Sequence, residues 1–336
     1  MIDRKYHWAI IGCGTIAPVF AQALHHCLDA KLVAVGSRDI SRAKKFAETY
    51  AIPKHGTYED IITDPHVDMV YIATTNDMHK YPATLALQSG KHVLCEKPLS
   101  ITVSDAEELV NAARTNKLFL MEGMWTRFLP AYTALRQILD QQLIGEPRYI
   151  AADFGFKGMW SAERRLLNPK LFGGTLLDNG IYPLALTTDI FGCNPSRIKS
   201  VSTIGATGVD ESFYGILDYG RGKTAQLSSS IILETPQEAI IVGEKGHIRI
   251  PRFWKATELY LTIGEKTEKI SAPYVTSADT NYAPFKLTGF EHEATHVMEC
   301  ISSGLLESRI MPHEETIGIA KIMDEIRRQQ LEPKPY

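Results

Sequence analysis

The sequence feature that most constrains the fold is a glycine-containing segment, Gly12-Cys13-Gly14-Thr15-Ile16-Ala17, close to the N-terminus. It follows the apolar run 7–11 and precedes a helical pattern over residues 16–28. The first glycine permits a tight turn, the second lets backbone approach a pyrophosphate, and the small third residue lets helix and strand pack closely. The segment predicts a dinucleotide-binding βαβ unit, and a tight turn without a ligand is the alternative. The predicted cofactor contacts are Gly12, Gly14, Thr15, Ile16 and Ala17.

The residues that follow alternate between strand-like and helical patterns. Strand-like runs cover 31–36, 54–56, 67–73, 92–95 and 119–122, and the main helical patterns cover 41–50, 81–89 and 103–115. Strands that alternate with helices of this length favour a parallel sheet with helices on both faces. We therefore expect an α/β chain whose N-terminal domain, residues 1–125, is a Rossmann-type doubly wound sheet.

The pattern changes after about residue 125. Strand-like runs cover 146–156, 198–204, 211–219, 224–233 and 238–242, with turn signals at 220–222 and 243–246. Helical patterns close the chain over 289–302 and 313–330. The prediction for residues 126–336 is an α+β domain with a large, mainly antiparallel open sheet. One face of that sheet has no obvious helical cover, so a homodimer through this face is expected.

The charge balance and hydropathy argue against two classes of partner. With 36 Lys and Arg against 39 Asp and Glu, the net charge is −3. Bulk electrostatics then gives no reason to expect nucleic acid or an anionic membrane. No apolar run approaches the ~20 residues of a transmembrane helix. The first residues lack the apolar core and cleavage site of a secretory signal.

The cysteine pattern argues against a disulfide framework or a zinc site. The five cysteines are Cys13, Cys27, Cys95, Cys193 and Cys300, and no two of them form a C-x-x-C pair. They are interpreted as reduced thiols, which predicts a cytoplasmic protein.

The end of the second strand indicates which dinucleotide is bound. NAD-preferring sites carry an acid there, which binds the ribose diol. This chain has Ser37 and Arg38 at that point, and Arg42 follows one turn later. A hydroxyl and two guanidinium groups suit a 2′-phosphate, which predicts NADP(H) over NAD(H). A solvated basic face is the alternative, and Asp39 keeps it open.

A lysine follows the fifth strand, at the edge where doubly wound sheets bind ligands. The segment is Cys95-Glu96-Lys97-Pro98, in which Glu96 could hold Lys97 in position. A simple ion pair at the strand end is the alternative.

Taken together, the motifs resemble the glucose–fructose oxidoreductase / inositol dehydrogenase (Gfo/Idh/MocA) family over about Lys5 to Gln330. The resemblance is carried by residues 12–17, 73–79 (Ala-Thr-Thr-Asn-Asp-Met-His), 96–98 and 173–183 (Gly-Gly-Thr-Leu-Leu-Asp-Asn-Gly-Ile-Tyr-Pro). Residues 125–128 and 153–156 resemble the branch that contains dimeric dihydrodiol dehydrogenases and NADP-dependent D-xylose dehydrogenases.

The resemblance implies roles for three residues. Lys97 would hydrogen-bond the reacting oxygen, and Tyr182 would be the general acid/base where much of the family has histidine. Asp178, one helical turn before Tyr182, would orient these groups. Whether Lys97 or Tyr182 delivers the proton is left open.

The same resemblance implies further contacts to the cofactor. Asn76 and His79 would lie in the loop beneath the nicotinamide, and a turn with a helix N-cap is the alternative, since Asn76 and Asp77 both favour capping. The remaining members of the predicted cofactor set are Thr74, Glu96 and Lys97.

Aromatic residues are the candidates for a substrate pocket. Trp125, Phe154, Phe156 and Trp160 could form an apolar wall that suits flat rings or the apolar faces of sugars, with Arg127 beside them. Filling the core is an equal alternative for each aromatic. Asn179 and Gly123 depart from the branch, which more often has an apolar residue and an alanine at these positions. These departures predict a different substrate preference.

A short metal-like motif occurs near the C-terminus. His292-Glu293-Ala294-Thr295-His296 matches H-E-x-x-H, and Glu314 or Glu315 could supply a third ligand. The motif is short and lies in a segment that resembles an ordinary C-terminal helix of the family. We therefore expect no metal, and a packed His296.

The expected function is an NADP-dependent oxidoreductase that acts on a hydroxyl or carbonyl of a sugar, cyclic polyol or dihydrodiol. The alternative from a different class is a non-catalytic NADP-sensing protein of the same fold. A metalloprotease is the third hypothesis, and the zinc content of the purified protein would distinguish it from the other two. The presence of Lys97, Tyr182 and Asp178 together favours the enzyme.

Overall fold

A computed structural model describes residues 5–158, 161–274 and 289–331. The chain divides into two compact units. Within the described residues, the first unit comprises 5–128 and 289–316, and the second comprises 129–274 and 317–331. The division at residues 125/126 stays a prediction about domains, and residues 289–316 group with the first unit rather than the second.

The first unit contains a six-stranded parallel sheet. Its strands, in chain order, are β1 (Tyr6–Ile11), β2 (Ala30–Gly36), β3 (Lys54–Gly56), β4 (Met69–Ile72), β5 (His92–Glu96) and β6 (Leu120–Gly123). The spatial order is β3-β2-β1-β4-β5-β6, with every pair parallel. This is the doubly wound order, in which ligands bind beyond the carboxyl ends of the strands. The predicted Rossmann-type sheet is confirmed.

Five helices connect these strands: α1 (Ala17–Leu24), α2 (Ile40–Thr49), α3 (Tyr58–Ile62), α4 (Lys80–Gln88) and α5 (Val103–Asn116). Buried strands such as β4, with all four residues buried, explain the continuous apolar runs of the sequence. Helix α1 ends at Leu24, earlier than the predicted residue 28, because Leu28 is exposed and adds no packing.

The second unit contains an eight-stranded sheet. Its strands are β7 (Pro147–Gly155), β8 (Arg197–Ile204), β9 (Asp210–Gly220), β10 (Lys223–Ser230), β11 (Ala239–Gly243), β12 (Gly246–Ile250), β13 (Glu258–Ile263) and β14 (Lys266–Ser271). The order is β14-β13-β12-β11-β7-β10-β9-β8. Only the β7–β10 pair is parallel among these neighbours. The predicted large, mainly antiparallel sheet is confirmed.

Four further helices complete the described structure: α6 (Pro130–Asp140), α7 (Ile181–Phe191), α8 (Phe290–Ser302) and α9 (His313–Leu331). Helices α8 and α9 confirm the two helical patterns predicted for the end of the chain. Helix α8 packs against α1 within the first unit. A search of the described residues finds no helix that is both long and apolar enough to cross a membrane.

Candidate active site

The glycine segment forms the turn between β1 and α1. Gly12 has a φ of +104°, and its N–H donates to the Gly36 oxygen at 2.8 Å. A Cβ at Gly12 would lie 2.6 Å from the Ala73 oxygen, so no side chain fits at this position. Ala17 is fully buried where α1 meets the sheet. No described side chain caps α1. Because Pro18 has no N–H and the Val19 N–H donates to the Ile16 oxygen at 3.0 Å, the Ala17 N–H is the donor of the first turn that is left to water or an anion.

The end of β2 presents basic side chains, while its acid is engaged locally. The Asp39 Oδ1 accepts from the Ser41 N–H at 2.9 Å and from the Ser41 hydroxyl at 2.6 Å, so it caps helix α2. These hydrogen bonds, that of the Ser41 hydroxyl first, lower the pKa of Asp39. Ser37 is buried at the same strand end, and its hydroxyl accepts from the Asp39 N–H at 3.2 Å.

Two guanidinium groups flank this strand end. Arg42 Nη2 donates to the Cys13 oxygen at 2.9 Å, which places Arg42 beside the glycine segment. The exposed Arg38 lies near Tyr58: burial raises the pKa of Tyr58, and the charge of Arg38 opposes that rise. The structure thus brings Ser37, Arg38 and Arg42 together at the carboxyl end of β2, and their contact with a cofactor ribose stays a prediction. A 2′-phosphate dianion fits this donor set.

His79 joins the loops that follow β4 and β5. Its Nδ1 lies 2.8 Å from the Pro98 oxygen, and its Nε2 lies 3.4 Å from the Thr74 oxygen. Burial lowers the pKa of His79 to about 4, so the ring is neutral near pH 7. A neutral ring has one N–H, and the shorter contact indicates that Nδ1–H donates to Pro98. His79 therefore fixes the loop that carries Lys97.

The alternative role of Asn76, as a helix N-cap, is not found in the structure. The residues Asn76–Met78 form a short 3-10 turn before α4, and no side chain caps either element. Asn76 is buried, and within the described residues its Nδ2 has no hydrogen-bond partner. A buried amide donor without a partner is costly, so a ligand that accepts from it fits here. A carboxamide such as that of nicotinamide has the required acceptor.

Lys97 follows β5 in a segment held on both sides. The Tyr71 hydroxyl donates to Glu96 Oε1 at 2.5 Å, and the Leu99 N–H donates to Glu122 Oε1 at 2.8 Å. The Lys97–Pro98 peptide bond is cis, and Lys97 itself is half-buried. The Lys97 charge contributes to the lowered pKa of His79, so the two side chains are neighbours. A pairing of Glu96 with Lys97 stays a prediction.

In the second unit, Asp178 and Tyr182 lie on consecutive turns of a continuous helical segment. Asp178 belongs to a π-helical turn, Leu176–Gly180, which runs directly into α7, where Tyr182 is the second residue. Single π turns inside helices are frequent at functional sites. Arg165 Nη2 pairs with Asp178 Oδ1 at 2.7 Å. Sequence reasoning missed Arg165, which lies 13 residues away along the chain.

Tyr182 is buried in an aromatic cluster. Its ring meets Phe154 edge-on, with centroids 5.3 Å apart and planes at 70°. Trp254 stacks on Phe154 at 4.7 Å and 15° and lies 6.4 Å from the Tyr182 ring. Phe156 lies 6.0 Å from Phe154. The structure brings Phe154, Phe156 and Tyr182 together and adds Trp254, which the sequence analysis missed. Substrate contact by Phe154 and Phe156 stays a prediction.

Asn179 anchors this cluster. Its Nδ2 donates to the Phe154 oxygen at 2.6 Å and to the Ser230 oxygen at 3.0 Å, and its Oδ1 accepts from the Thr175 hydroxyl at 2.7 Å. The amide therefore ties the π-helical turn to β7 and β10, which an apolar residue could not do. At the other departure from the branch, Gly123, a Cβ would lie 3.2 Å from the Cys95 oxygen, a tight contact.

Trp125 and Arg127 are buried within the first unit. Trp125 stacks on Phe290 with centroids 4.8 Å apart and planes at 13°. Arg127 pairs with Glu315 and donates to the Ile310 oxygen at 3.1 Å. These contacts support the packing alternative for Trp125 and give Arg127 a structural partner, while substrate contact by either residue stays a prediction. Trp160 lies outside the described residues.

The H-E-x-x-H residues lie on α8 and serve in packing. His296 Nε2 lies 2.8 Å from the Ser308 hydroxyl and 3.3 Å from Cys300 Sγ, and its ring faces Phe128. Glu293 is fully buried. Across the described residues, no three His, Cys, Asp or Glu side chains are grouped as a metal site would require.

Comparison with known proteins agrees with this architecture. Residues 6–124 match the model of an oxidoreductase family with an NAD-binding Rossmann fold, and residues 132–249 match the GFO/IDH/MocA C-terminal domain. The trans-1,2-dihydrobenzene-1,2-diol dehydrogenase of Xenopus tropicalis is 37% identical over 327 residues, 96% of this chain and 97% of the relative. The chain belongs to the Gfo/Idh/MocA oxidoreductase family. The enzyme of the same name from Mus musculus is 38% identical over 325 residues, 96% of each chain.

Solved structures of this family have the same fold. Aldose-aldose oxidoreductase from Caulobacter crescentus, complexed with glycerol, superposes with a TM-score of 0.86 at 25% identity over 97% of both chains. KijD10, a 3-ketoreductase from Actinomadura kijaniata in complex with NADP and TDP-benzene, has a TM-score of 0.83 at 25% identity and covers 97% of this chain and 98% of its own. The protein is an NAD(P)-dependent dehydrogenase or reductase.

Proposed function

We propose that the protein is an NADP(H)-dependent dehydrogenase that acts on a hydroxyl or carbonyl of a sugar, cyclic polyol or dihydrodiol. The observation that carries this proposal is the position of Tyr182 against the Phe154–Trp254 pair. A proton-transferring hydroxyl beside an aromatic wall suits a reacting carbon in a ring. The names of the dihydrodiol relatives and of the aldose oxidoreductase support the same substrate class.

Residues of the first unit would hold the cofactor. The turn from Gly12 to Ala17 would bind the pyrophosphate through backbone N–H groups, because Gly12 leaves no side chain in the way. The segment from Thr74 to His79, with Glu96, would border the nicotinamide, and the Asn76 amide would donate to it. The bound nicotinamide supplies the hydride acceptor or donor at the reacting carbon.

The preference for NADP(H) is supported by the engagement of Asp39 as a helix cap. That carboxylate is used locally, whereas Arg38 and Arg42 border the same strand end. We expect NADP⁺ to bind at least ~10-fold more tightly than NAD⁺, since charge-assisted hydrogen bonds contribute about 1.5–3 kcal/mol each. Arg38→Ala should remove most of this difference, and the exposed Lys44→Ala on α2 is the matched control. Equal affinities of wild-type protein for the two cofactors would contradict the preference.

Lys97, Tyr182 and Asp178 are proposed to carry the proton chemistry. The Lys97 ammonium would hydrogen-bond the reacting oxygen, and Asp178, held by Arg165, would orient the helix turn that bears Tyr182. During oxidation, the proton of the substrate hydroxyl would pass to Tyr182 in its phenolate form or to Lys97 in its neutral amine form, and during reduction the same group, then protonated, would return it. Lys97→Met and Tyr182→Phe should each lower kcat by ~10²–10⁴. Turnover within a few-fold of wild type in both would refute the assignment.

The first assay is turnover with NADP⁺ and then NAD⁺ on D-xylose, D-glucose, myo-inositol and trans-benzene dihydrodiol, followed at the NADPH absorbance. Turnover on one of them supports the enzyme and selects the substrate branch. Tight NADP⁺ binding without turnover on any substrate would favour the non-catalytic sensor.

We further propose a homodimer through the β8–β9 face of the large sheet, in a cytoplasmic protein. Val201 and Ile216 on this face are 64% and 52% exposed, and Tyr214 pairs with Val201 across the strands. Apolar side chains exposed together usually meet a partner. Light scattering at micromolar concentration should give a dimer that Ile216→Lys dissociates, and a wild-type monomer would contradict the proposal. The five cysteines are free thiols, as expected for a reducing compartment.

A further inference from the structure

A basic groove lies beside the aromatic cluster of the second unit. The turn Phe253–Lys255 follows Arg252, and Lys255 Nζ lies 4.6 Å from the centroid of the Trp254 ring. Arg252 and Lys255 line a groove of about 400 Å³ with Thr257, Glu258 and Tyr274. Trp254 is the ring that stacks on Phe154 and neighbours Tyr182. The Lys255 ammonium and the Tyr182 ring are therefore both neighbours of the Trp254 indole.

The two cations of the groove are not neutralised by the part of the chain that the structure describes. Neither Arg252 nor Lys255 forms an ion pair with a described residue. Glu258, the acid of the groove, pairs instead with Lys269 at 2.5 Å and accepts from the Tyr260 hydroxyl at 2.9 Å. Burial and the charge of Arg252 both lower the pKa of Lys255. Two like charges held together, with the carboxylate of the groove already paired to Lys269, favour an anion between them.

The backbone at Arg252 adds a second observation. Its φ is +45°, a left-handed conformation that costs a non-glycine residue about 1 kcal/mol or more. Such conformations cluster at ligand sites. The backbone of Lys255 is held by two hydrogen bonds. Its N–H donates to the Arg252 oxygen at 2.8 Å, and its oxygen accepts from the Tyr274 hydroxyl at 3.2 Å. The cation–π contact with Trp254 would explain the position of the Lys255 side chain. It would not explain the left-handed backbone of Arg252, three residues earlier.

We propose that Arg252 and Lys255 bind an anionic group, a phosphate monoester or a carboxylate, at the end of the substrate remote from the reacting carbon. This inference rests on the proposed function, because it takes Tyr182 as the reacting end of the site. The preferred substrate would then be a phosphorylated or carboxylated sugar or polyol.

A binding experiment tests the anion site without requiring turnover. Inorganic phosphate is titrated into cofactor-free protein at constant ionic strength, and tryptophan fluorescence is recorded. Because Lys255 lies over Trp254, phosphate binding should give a saturable change that Trp254→Phe removes. Lys255→Met and Arg252→Met should each weaken the apparent affinity by about 10-fold or more, as for loss of one charge-assisted contact. The exposed Lys266→Met on β14 is the matched control.

A change that persists in Trp254→Phe, or that Lys255→Met and Arg252→Met leave unaltered, would overturn the anion site. The absence of any saturable change would do the same. These outcomes do not depend on whether the protein is a dehydrogenase.

Kinetics then distinguish the two anions. D-glucose, D-glucose 6-phosphate and D-glucuronate share the reacting carbon and differ only at the far end. We expect kcat/KM to be at least ~10-fold higher for one of the charged sugars, and Lys255→Met to reduce that ratio while Lys266→Met preserves it. A higher kcat/KM for D-glucose 6-phosphate identifies phosphate as the natural anion, and a higher kcat/KM for D-glucuronate identifies carboxylate. Equal kcat/KM values for all three sugars would overturn the inference and leave the proposed function intact. No turnover of any sugar, together with saturable phosphate binding, would instead count against the proposed function.

Discussion

Replacing Glu122 with glutamine should change how the free energy of unfolding depends on pH. The burial of Glu122 determines the direction of that change. Glu122 lies on β6 with its side chain almost fully buried. One carboxyl oxygen accepts the Leu99 N–H at 2.8 Å, and within the described residues the other has no hydrogen-bond partner. Burial raises the pKa of Glu122 from 4.5 to about 7. The folded protein therefore keeps this carboxyl protonated at pH values where the unfolded chain has lost the proton.

The sign and the magnitude follow from this difference. Between pH 4.5 and 7 the unfolded state binds fewer protons, so wild-type stability falls as the pH rises. The two pKa values correspond to about 3 kcal/mol at 1.36 kcal/mol per pH unit. Glutamine cannot ionise and keeps an oxygen for the Leu99 N–H. The free energy of unfolding of Glu122→Gln, measured relative to wild type, should therefore increase by about 3 kcal/mol from pH 4.5 to pH 8.

Urea unfolding of cofactor-free protein at several pH values measures this difference, and hydrogen exchange in peptides covering β5 and β6 assigns it to the first unit. The exposed Glu48→Gln on α2 is the matched control and should show no comparable trend. A difference between Glu122→Gln and wild type that stays constant within about 1 kcal/mol over this range would refute the reasoning. Glu122→Met should also lower kcat, since it leaves the Leu99 N–H, two residues after Lys97, without its acceptor.

Two other substitutions test the packing around the site. Arg127→Met removes the partner of Glu315 and should lower the free energy of urea unfolding by about 3–5 kcal/mol, because it leaves an uncompensated charge. The double variant with Glu315→Met should recover much of this loss. A loss below about 1 kcal/mol in Arg127→Met would argue against a stabilising Arg127–Glu315 ion pair. Asn179→Leu removes the amide donor to the Phe154 oxygen and one donor to the Ser230 oxygen, which keeps the Phe156 N–H at 3.0 Å. It should cost about 1–3 kcal/mol and reduce kcat/KM, whereas exposed Asn194→Leu should be near neutral. Unchanged stability in Asn179→Leu would mean that water replaces the amide.

The first unit could be predicted from sequence because its signals are local. Each buried parallel strand is a short apolar run, each crossover helix is periodic, and Gly12 marks the turn that only glycine can make. The far edge of the second sheet gave no such signal. All but one residue of β14 are exposed, so no apolar alternation marks it, and its pairing with β13 is visible only in the structure.

Site residues that depend on distant parts of the chain were missed for a related reason. Arg165 meets Asp178 only because two short helical turns fold back on each other, and Trp254 reaches Phe154 from a strand connection about a hundred residues later. Neither residue type is rare, and neither stands in a recognisable motif. Asp39 shows the reverse case, because a residue that could have indicated NAD is used as a helix cap.

The H-E-x-x-H segment shows how burial changes the chemistry of a motif. In a zinc hydrolase the glutamate must be a base near a bound water. Here Glu293 is fully buried, and burial together with the charge of Glu96 raises its pKa well above the usual value. A glutamate enclosed in packing in this way is not presented to a bound water as that mechanism requires. His296 already contacts Ser308, and His292 Nε2 lies 3.8 Å from Glu291 Oε1. The H-E-x-x-H segment therefore serves in helix packing, because α8 is oriented so that Glu293 is buried.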